Sequence, residues 1–368
     1  MSEFLSVLKN EERATLTLRS LYNSYGYLPF KMSKFEEYDL YVGNKDFLVS
    51  DRVITFNDTD GRLLALKPDV TLSIVKNTED VSSFVQKVYY NENVYRVSGA
   101  TGQFKEIMQT GIECIGDISE NDVFEVVYLA AKSLELVCDD FVLDVSHMGI
   151  LSSLIESASD SELFKKEIFA LVAEKNAHEA AAVCKKYGVS EEYTEVIKSL
   201  ASMYGDMYGV LSKLRPLCKT EKSARAYSEL YALADFLSAT EYASKVRFDF
   251  SVVNNMNYYN GIVFRGFLSG ICEGVLSGGE YGKLLMGMGR DSGAIGFALY
   301  LDLLSELDCE RSEYDVDVLL IYSDSVCAEA LAKRKREIIA SGRSVCAQRT
   351  VPEKLRYREK IVMEGENK

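Results

Sequence analysis

At 368 residues and 47% hydrophobic, the chain can bury a substantial core and is long enough for two or three domains. Its 42 Lys+Arg against 56 Asp+Glu give a formal charge of -14, and so acidic a surface repels a phosphate backbone instead of releasing counterions from it, which argues against a nucleic-acid partner. The eight cysteines never form a CxxC pair and the only histidines are His147 and His178, so no metal site is expected and the thiols read as reduced and mostly buried.

The N-terminal stretch mixes acids and bases without an apolar core, and no later segment offers about 18 uninterrupted apolar residues, so the chain is expected to be cytoplasmic and off the membrane. The first clear element is a helix through EERATLTLRSLYNSYG, with Ala14, Leu18, Leu21, Tyr22 and Tyr25 on one stripe and Gly26 as its left-handed stop. Arg52 to Phe56 and Arg62 to Leu66 read as a hairpin around NDTDG. Pro68 suits the first turn of a helix, which places Asp69 and Thr71 at a helix start. Val88 to Val97 and Glu106 to Ile115 are two more strands, followed by a helix that Ser119 can cap.

From about residue 146 to 245 the pattern turns helical, and it is expected to be an inserted helical domain. Strand patterns return in KVRFDFSVV, YYNGIVFRGF and ICEGVLSGG, so residues 1–145 and 246–312 together make one discontinuous α+β domain, an antiparallel sheet flanked by helices. Residues 313–368 read as a short C-terminal α/β unit, one βαβ-like repeat. Between Lys333 and Lys360 stand ten Lys/Arg and three Glu, which fits either a solvated helix face or a contact surface for an acidic partner.

Strand EIMQTGIECI carries the most chemistry. Alternation puts Gln109, Gly111 and Glu113 on one face, and polar groups on an apolar strand are costly to bury without partners. A glycine between them leaves room for a small polar ligand such as an amino acid; the plainer reading is hydrogen bonding to neighbouring backbone. Asp69 could accept from an ammonium and Thr71 add a hydroxyl acceptor, although Pro-Asp at a helix start is also ordinary capping. In NNMNYYNGIVF, Tyr258 and Tyr259 are expected on opposite sides of a strand, with Gly261 thinning the packing beside the second ring. The glycine-rich SGGEYGKLLMGMGRDSGAIG lacks the βαβ context of a dinucleotide loop.

Together these segments resemble the class II aminoacyl-tRNA synthetase core of the histidyl type, from about Leu18 to Leu304. LALKPDVT resembles its leucine-arginine-proline-glutamate-glycine-threonine segment, VYRVSGATGQFKEIMQTGIECIG its motif 2, MNYYNGIVFRGF a histidine-specific signature, and AIGFALYLDLL its motif 3. The resemblance implies that Asp69, Thr71 and Gln109 hold the α-ammonium of histidine, that Glu113 and Tyr259 address its imidazole, and that Arg96 and Tyr258 belong to the same site. A carboxylate facing an imidazole N–H would give a charge-assisted hydrogen bond.

The departures fall on the nucleotide side. Arg96 keeps the motif 2 arginine, but the motif 2 loop is one residue shorter, Gln103 stands where a second arginine is expected, Leu303 replaces the motif 3 arginine, and Asn254 replaces the arginine before the double tyrosine. At about 2.7 to 4 kcal/mol for each charge-stabilising donor, losing three cations should abolish adenylate formation. No catalytic residue and no cofactor is therefore expected, with histidine as an allosteric ligand. A synthetase-like chain of this kind resembles the family of ATP phosphoribosyltransferase regulatory subunits. That resemblance implies a homodimer within a hetero-oligomer with the short-form catalytic subunit, at the first step of histidine biosynthesis, mediating histidine feedback. The alternatives are a divergent active histidyl-tRNA synthetase and a pseudo-synthetase that binds tRNA or a kinase.

Overall fold

The computed structural model describes residues 8–48, 52–78, 84–97, 101–253, 258–307 and 313–364. The chain divides into two compact units, Met1–Leu307 and Asp308–Lys368. In the first, helix Asn10–Ser24 buries Ala14, Leu18, Leu21 and Tyr22 and stops at Gly26, whose φ of 82° is open to glycine at little cost. Strands β1 (Leu28–Pro29), β2 (Phe35–Glu37), β3 (Thr55–Asn57) and β4 (Leu63–Leu66) follow, then helix Thr71–Asn77. The long hairpin is β5 (Val85–Val97) and β6 (Phe104–Gly116), succeeded by helix Glu120–Val137, which Ser119 caps through Asp122 N–H.

After β7 (Phe141–His147), helices run from Met148 to Ser238, interrupted by the two-residue β8 (Tyr204–Gly205). Four strands then complete the unit: β9 (Val246–Asp249), β10 (Ile262–Leu268), β11 (Leu276–Glu280) and β12 (Gly293–Tyr300). Nine strands form one sheet in the order β1, β5, β6, β12, β11, β10, β7, β9, β8. Its middle is antiparallel as expected, but the β1–β5 and β7–β9 pairs are parallel, so the sheet is mixed. The hairpin expected around NDTDG forms, with Asn57 opposite Leu63, and joins β2 in a separate three-stranded sheet.

The large sheet separates two apolar cores. Ile112 and Cys114 face one, shared with helices Asn10–Ser24 and Glu120–Val137; Ile115, Val88 and Tyr90 face the other, shared with helix Thr71–Asn77. The helical residues expected as an insertion lie in the first unit, and Ile150, Phe164, Leu200 and Leu230 belong to the first of these cores. The second unit is a parallel sheet in the order β14 (Val345–Gln348), β13 (Val316–Tyr322), β15 (Tyr357–Met363), with helix Ala328–Ala340 packing Ile338 on Val318 and Leu320. Strand β15 extends this unit beyond the single βαβ repeat read from the sequence. Several of its basic side chains are paired, Arg343 with Glu359 at 2.8 Å and Arg356 with Asp315 at 2.7 Å.

Candidate functional site

On the face of the second core, β6 presents Gln109, Gly111 and Glu113, alternating with Ile112 and Cys114 on the opposite face. Above these strands lies a cavity of ≈ 410 Å³. All seven residues assigned to the ligand from sequence, Asp69, Thr71, Arg96, Gln109, Glu113, Tyr258 and Tyr259, line it. Their positions come from four separate stretches of chain: the start of helix Thr71–Asn77, β5, β6 and the segment leading into β10.

Glu113 is the most buried of the acids and arginines that line the cavity. Its Oε1 accepts from Thr71 Oγ1 at 2.9 Å and its Oε2 from Tyr281 OH at 2.5 Å. Burial pushes its carboxyl up to about 8; the two hydroxyl donors oppose that rise, and the nearby Asp69 carboxylate adds to it. Gly296 on β12 sits directly opposite in register, and a Cβ there would overlap Glu113 Oε2 and the Ile112 carbonyl. Only a glycine lets the carboxyl lie flat over that strand.

Gln109 is 2% exposed, and its Nε2 has no hydrogen-bond partner among the described residues. Leaving a buried donor unpaired costs about 1 to 3 kcal/mol, which a ligand acceptor in the cavity would remove. Asp69 is already occupied: Oδ1 accepts from Leu72 N at 2.9 Å, and Oδ2 lies 3.3 Å from an Arg96 terminal nitrogen. Asp69 therefore caps the helix and also lines the cavity. Arg96 is further anchored by Nε to the Pro68 carbonyl at 2.6 Å. Thr71 donates its proton to Glu113 and accepts from the Tyr258 hydroxyl, which leaves one lone pair on its oxygen.

Two expectations need correction. Tyr258 and Tyr259 do not stand on opposite faces of a strand, because β10 begins only at Ile262. Outside a paired strand the two-residue alternation does not apply, and both rings turn into the cavity with centroids 4.6 Å apart. Gly261 does not thin the packing beside Tyr259; it makes room for Glu280, whose Oε2 accepts from Ile262 N at 2.6 Å. Likewise, the space beside Gly111 is taken by the Tyr90 hydroxyl, which a Cβ would meet at 2.7 Å.

Of the positions where the resemblance implies lost cations, Gln103 is exposed just before β6 and Leu303 packs on the first core; neither lines the cavity. Asn254 lies outside the described residues. Sequence reasoning missed Tyr281, Tyr90, Arg265, Ser277 and Tyr300, all of which line the cavity. Tyr281 follows the end of β11, where no periodicity points to it, whereas Gly296 inside the strand AIGFALY was a visible sign of close approach.

A sequence model of the family described as histidyl-tRNA synthetase matches residues 6–304. An ATP phosphoribosyltransferase regulatory subunit of Caldanaerobacter subterraneus subsp. tengcongensis is 30% identical over 291 residues, 77% of this chain and 75% of the relative. The fold is similar to the crystal structure of an ATP phosphoribosyltransferase regulatory subunit/histidyl-tRNA synthetase from Bacillus halodurans, with a TM-score of 0.76 at 24% identity, covering 97% of this chain and 95% of the other. It is also similar to a chain of an ATP phosphoribosyl transferase complex from Thermotoga maritima, with a TM-score of 0.61 at 18% identity, covering 79% and 97%. The chain belongs to the histidyl-tRNA synthetase-like family of ATP phosphoribosyltransferase regulatory subunits.

Proposed function

We propose that this protein is the non-catalytic regulatory subunit of ATP phosphoribosyltransferase in histidine biosynthesis, and that its cavity binds histidine as a feedback ligand. The observation that carries the ligand reading is the pair of unsettled groups on β6: a buried Gln109 amide with an unpartnered N–H, and a Glu113 carboxyl held up to about 8. Both are costs of the empty cavity that an imidazole-bearing amino acid offsets. The imidazole meets Glu113 and Tyr259, while the ammonium donates to Thr71, to Asp69 and to the Gln109 amide oxygen, which leaves the Gln109 N–H for an acceptor oxygen of the ligand's carboxylate; Arg96 keeps the Asp69 carboxylate oriented and Tyr258 walls the ring.

Histidine can act as an effector only if one state of the assembly binds it better than another, and a coupling of about 1 to 3 kcal/mol is enough. The partner in this reading is the short-form catalytic subunit, within a hetero-oligomer whose regulatory chains pair through the N-terminal helix region. Among the described residues no helix is long and apolar enough to cross a membrane, which is compatible with a cytoplasmic assembly. No cofactor and no nucleic acid enters the reading.

Calorimetric titration of the full chain with histidine and with ATP, beside a pyrophosphate-exchange assay, tests it. Histidine binding without exchange is expected; exchange above background would restore a synthetase. Light scattering on the purified chain should show a dimer, and a stable monomer would remove the proposed pairing.

A further inference from the structure

An α-amino acid brings a carboxylate as well as an ammonium and a side chain, and a carboxylate taken into a cavity needs a cation or several N–H donors. Among the residues lining the cavity the only cationic side chains are Arg96 and Arg265. Arg96 is committed to the Pro68 carbonyl and the Asp69 carboxylate. Arg265, among the described residues, has neither a hydrogen bond nor an ion pair. Its neighbour in register on β7 is Asp144, whose carboxyl is influenced by Arg247 and Lys175 and not by Arg265.

The sheet explains how this arginine reaches the ligand. Arg265 on β10 stands opposite Ser277 on β11, Ser277 opposite Ala298 on β12, and Ala298 opposite Gly111 on β6. The next row on the same face is Gly279, Gly296 and Glu113. These rows form a floor of small side chains running from Glu113 to Arg265. Three strand spacings make roughly 14 Å between the two backbones. A glutamate arm from one side and an arginine arm from the other shorten that gap to about the span of one amino acid. Gly274 beneath the arginine leaves room for its stem, since a Cβ there would come within 2.8 Å of Arg265 Cγ and Cδ.

We infer that Arg265 receives the α-carboxylate of the ligand and so determines that the cavity takes an amino acid and not an imidazole-bearing amine or alcohol. The inference rests on the reading of this cavity as a histidine site. Charge accounting agrees with it: Glu113 answers the imidazole, Asp69 answers the ammonium, Arg96 stays tied to the Pro68 carbonyl and the Asp69 carboxylate, and Arg265 is the cation left for the ligand's anion.

The test is calorimetric titration of the full chain and of Arg265→Gln and Arg265→Lys with L-histidine and with L-histidinol, in which a CH2OH group replaces the carboxylate. The wild-type chain should prefer histidine by about ten- to a hundredfold, the contribution of a charge-assisted pair. Arg265→Gln should bring histidine down to the level of histidinol while leaving histidinol unchanged, and Arg265→Lys should recover part of the preference. An equal loss for both ligands, or no loss for histidine, overturns the assignment of Arg265 alone. A wild-type chain that binds no histidine removes the parent reading and this one with it.

Discussion

Replacing Glu113 by glutamine should stabilise the empty protein in alkaline solution while weakening its hold on histidine, and the magnitude follows from the carboxyl's environment. An unfolded glutamate ionises near its ordinary value of 4.5, whereas the folded group is held up to about 8 by burial. The folded value is the higher one, so the stability this group contributes is fully present below 4.5, falls as pH rises towards about 8, and is flat beyond. At about 1.4 kcal/mol for each tenfold in ionisation, the whole window amounts to about 5 kcal/mol. Glutamine has no proton to lose, and its amide can still accept from one of the Thr71 and Tyr281 hydroxyls and donate to the other.

Urea unfolding of both chains at pH 5 and pH 8.5 reads the difference. The variant should gain on the wild type by several kcal/mol between the two conditions, while its histidine affinity falls by about tenfold or more from the lost charge-assisted bond. A stability difference that is the same at both pH values would show that Glu113 is ionised in the fold, and the argument about the empty cavity would fail. If stability and affinity both fell, Glu113 would be a structural group and not a ligand group.

Three further outcomes are expected. Gln109→Leu removes an unpartnered donor, so the thermal midpoint of the empty chain should hold or rise while histidine affinity drops about tenfold; a clear loss of stability would mean that the amide has a partner in solution. Gly296→Ala forces a methyl onto Glu113 Oε2 and the Ile112 carbonyl, and should cost about 1 to 3 kcal/mol in a denaturation experiment together with most of the binding; a variant that binds normally would show that β12 yields easily. Histidine binding should exchange no net proton between about pH 6.5, where free imidazole titrates, and about 8, where Glu113 does. Below that window a proton is released, because imidazolium and protonated carboxyl share one proton once bound. Above it a proton is taken up. Calorimetry in buffers of differing ionisation enthalpy measures this directly, and proton uptake at pH 7.5 would contradict the protonated carboxyl.

How much of this could be read from the chain depends on which physical rule governed each stretch. Alternation along β6 is enforced by pairing on both sides, and it correctly grouped Gln109 with Glu113 against Ile112 and Cys114. The turn glycines and the Ser119 cap were legible because backbone geometry there depends on a few neighbouring residues. The double tyrosine was misplaced because it precedes β10, where no ladder fixes the side-chain direction and tertiary packing against Tyr281 and Phe47 decides instead. The parallel pairings were invisible because β1, two residues long, is too short to carry any period, and because alternation along β7 and β9 does not tell which strands pair or in which direction.

The same division bears on what the site can do. The residues legible from sequence, Asp69, Thr71, Gln109 and Glu113, sit at defined helix or strand positions, so their placement is stiff and their costs in the empty cavity cannot be relaxed by a rotated backbone. Tyr258 and Tyr259, whose directions alternation misjudged, and Tyr281, to which no periodicity pointed, pack around the carboxyl as a cluster of rings. A rigid polar pair inside an aromatic wall is in that sense destabilised until a complementary ligand arrives. Any rearrangement of the assembly that loosens this wall would let solvent satisfy Gln109 and Glu113 instead, and the ligand's advantage would shrink. On the proposed reading, histidine favours whichever arrangement of the assembly keeps this wall intact, and that difference in affinity is what feedback requires.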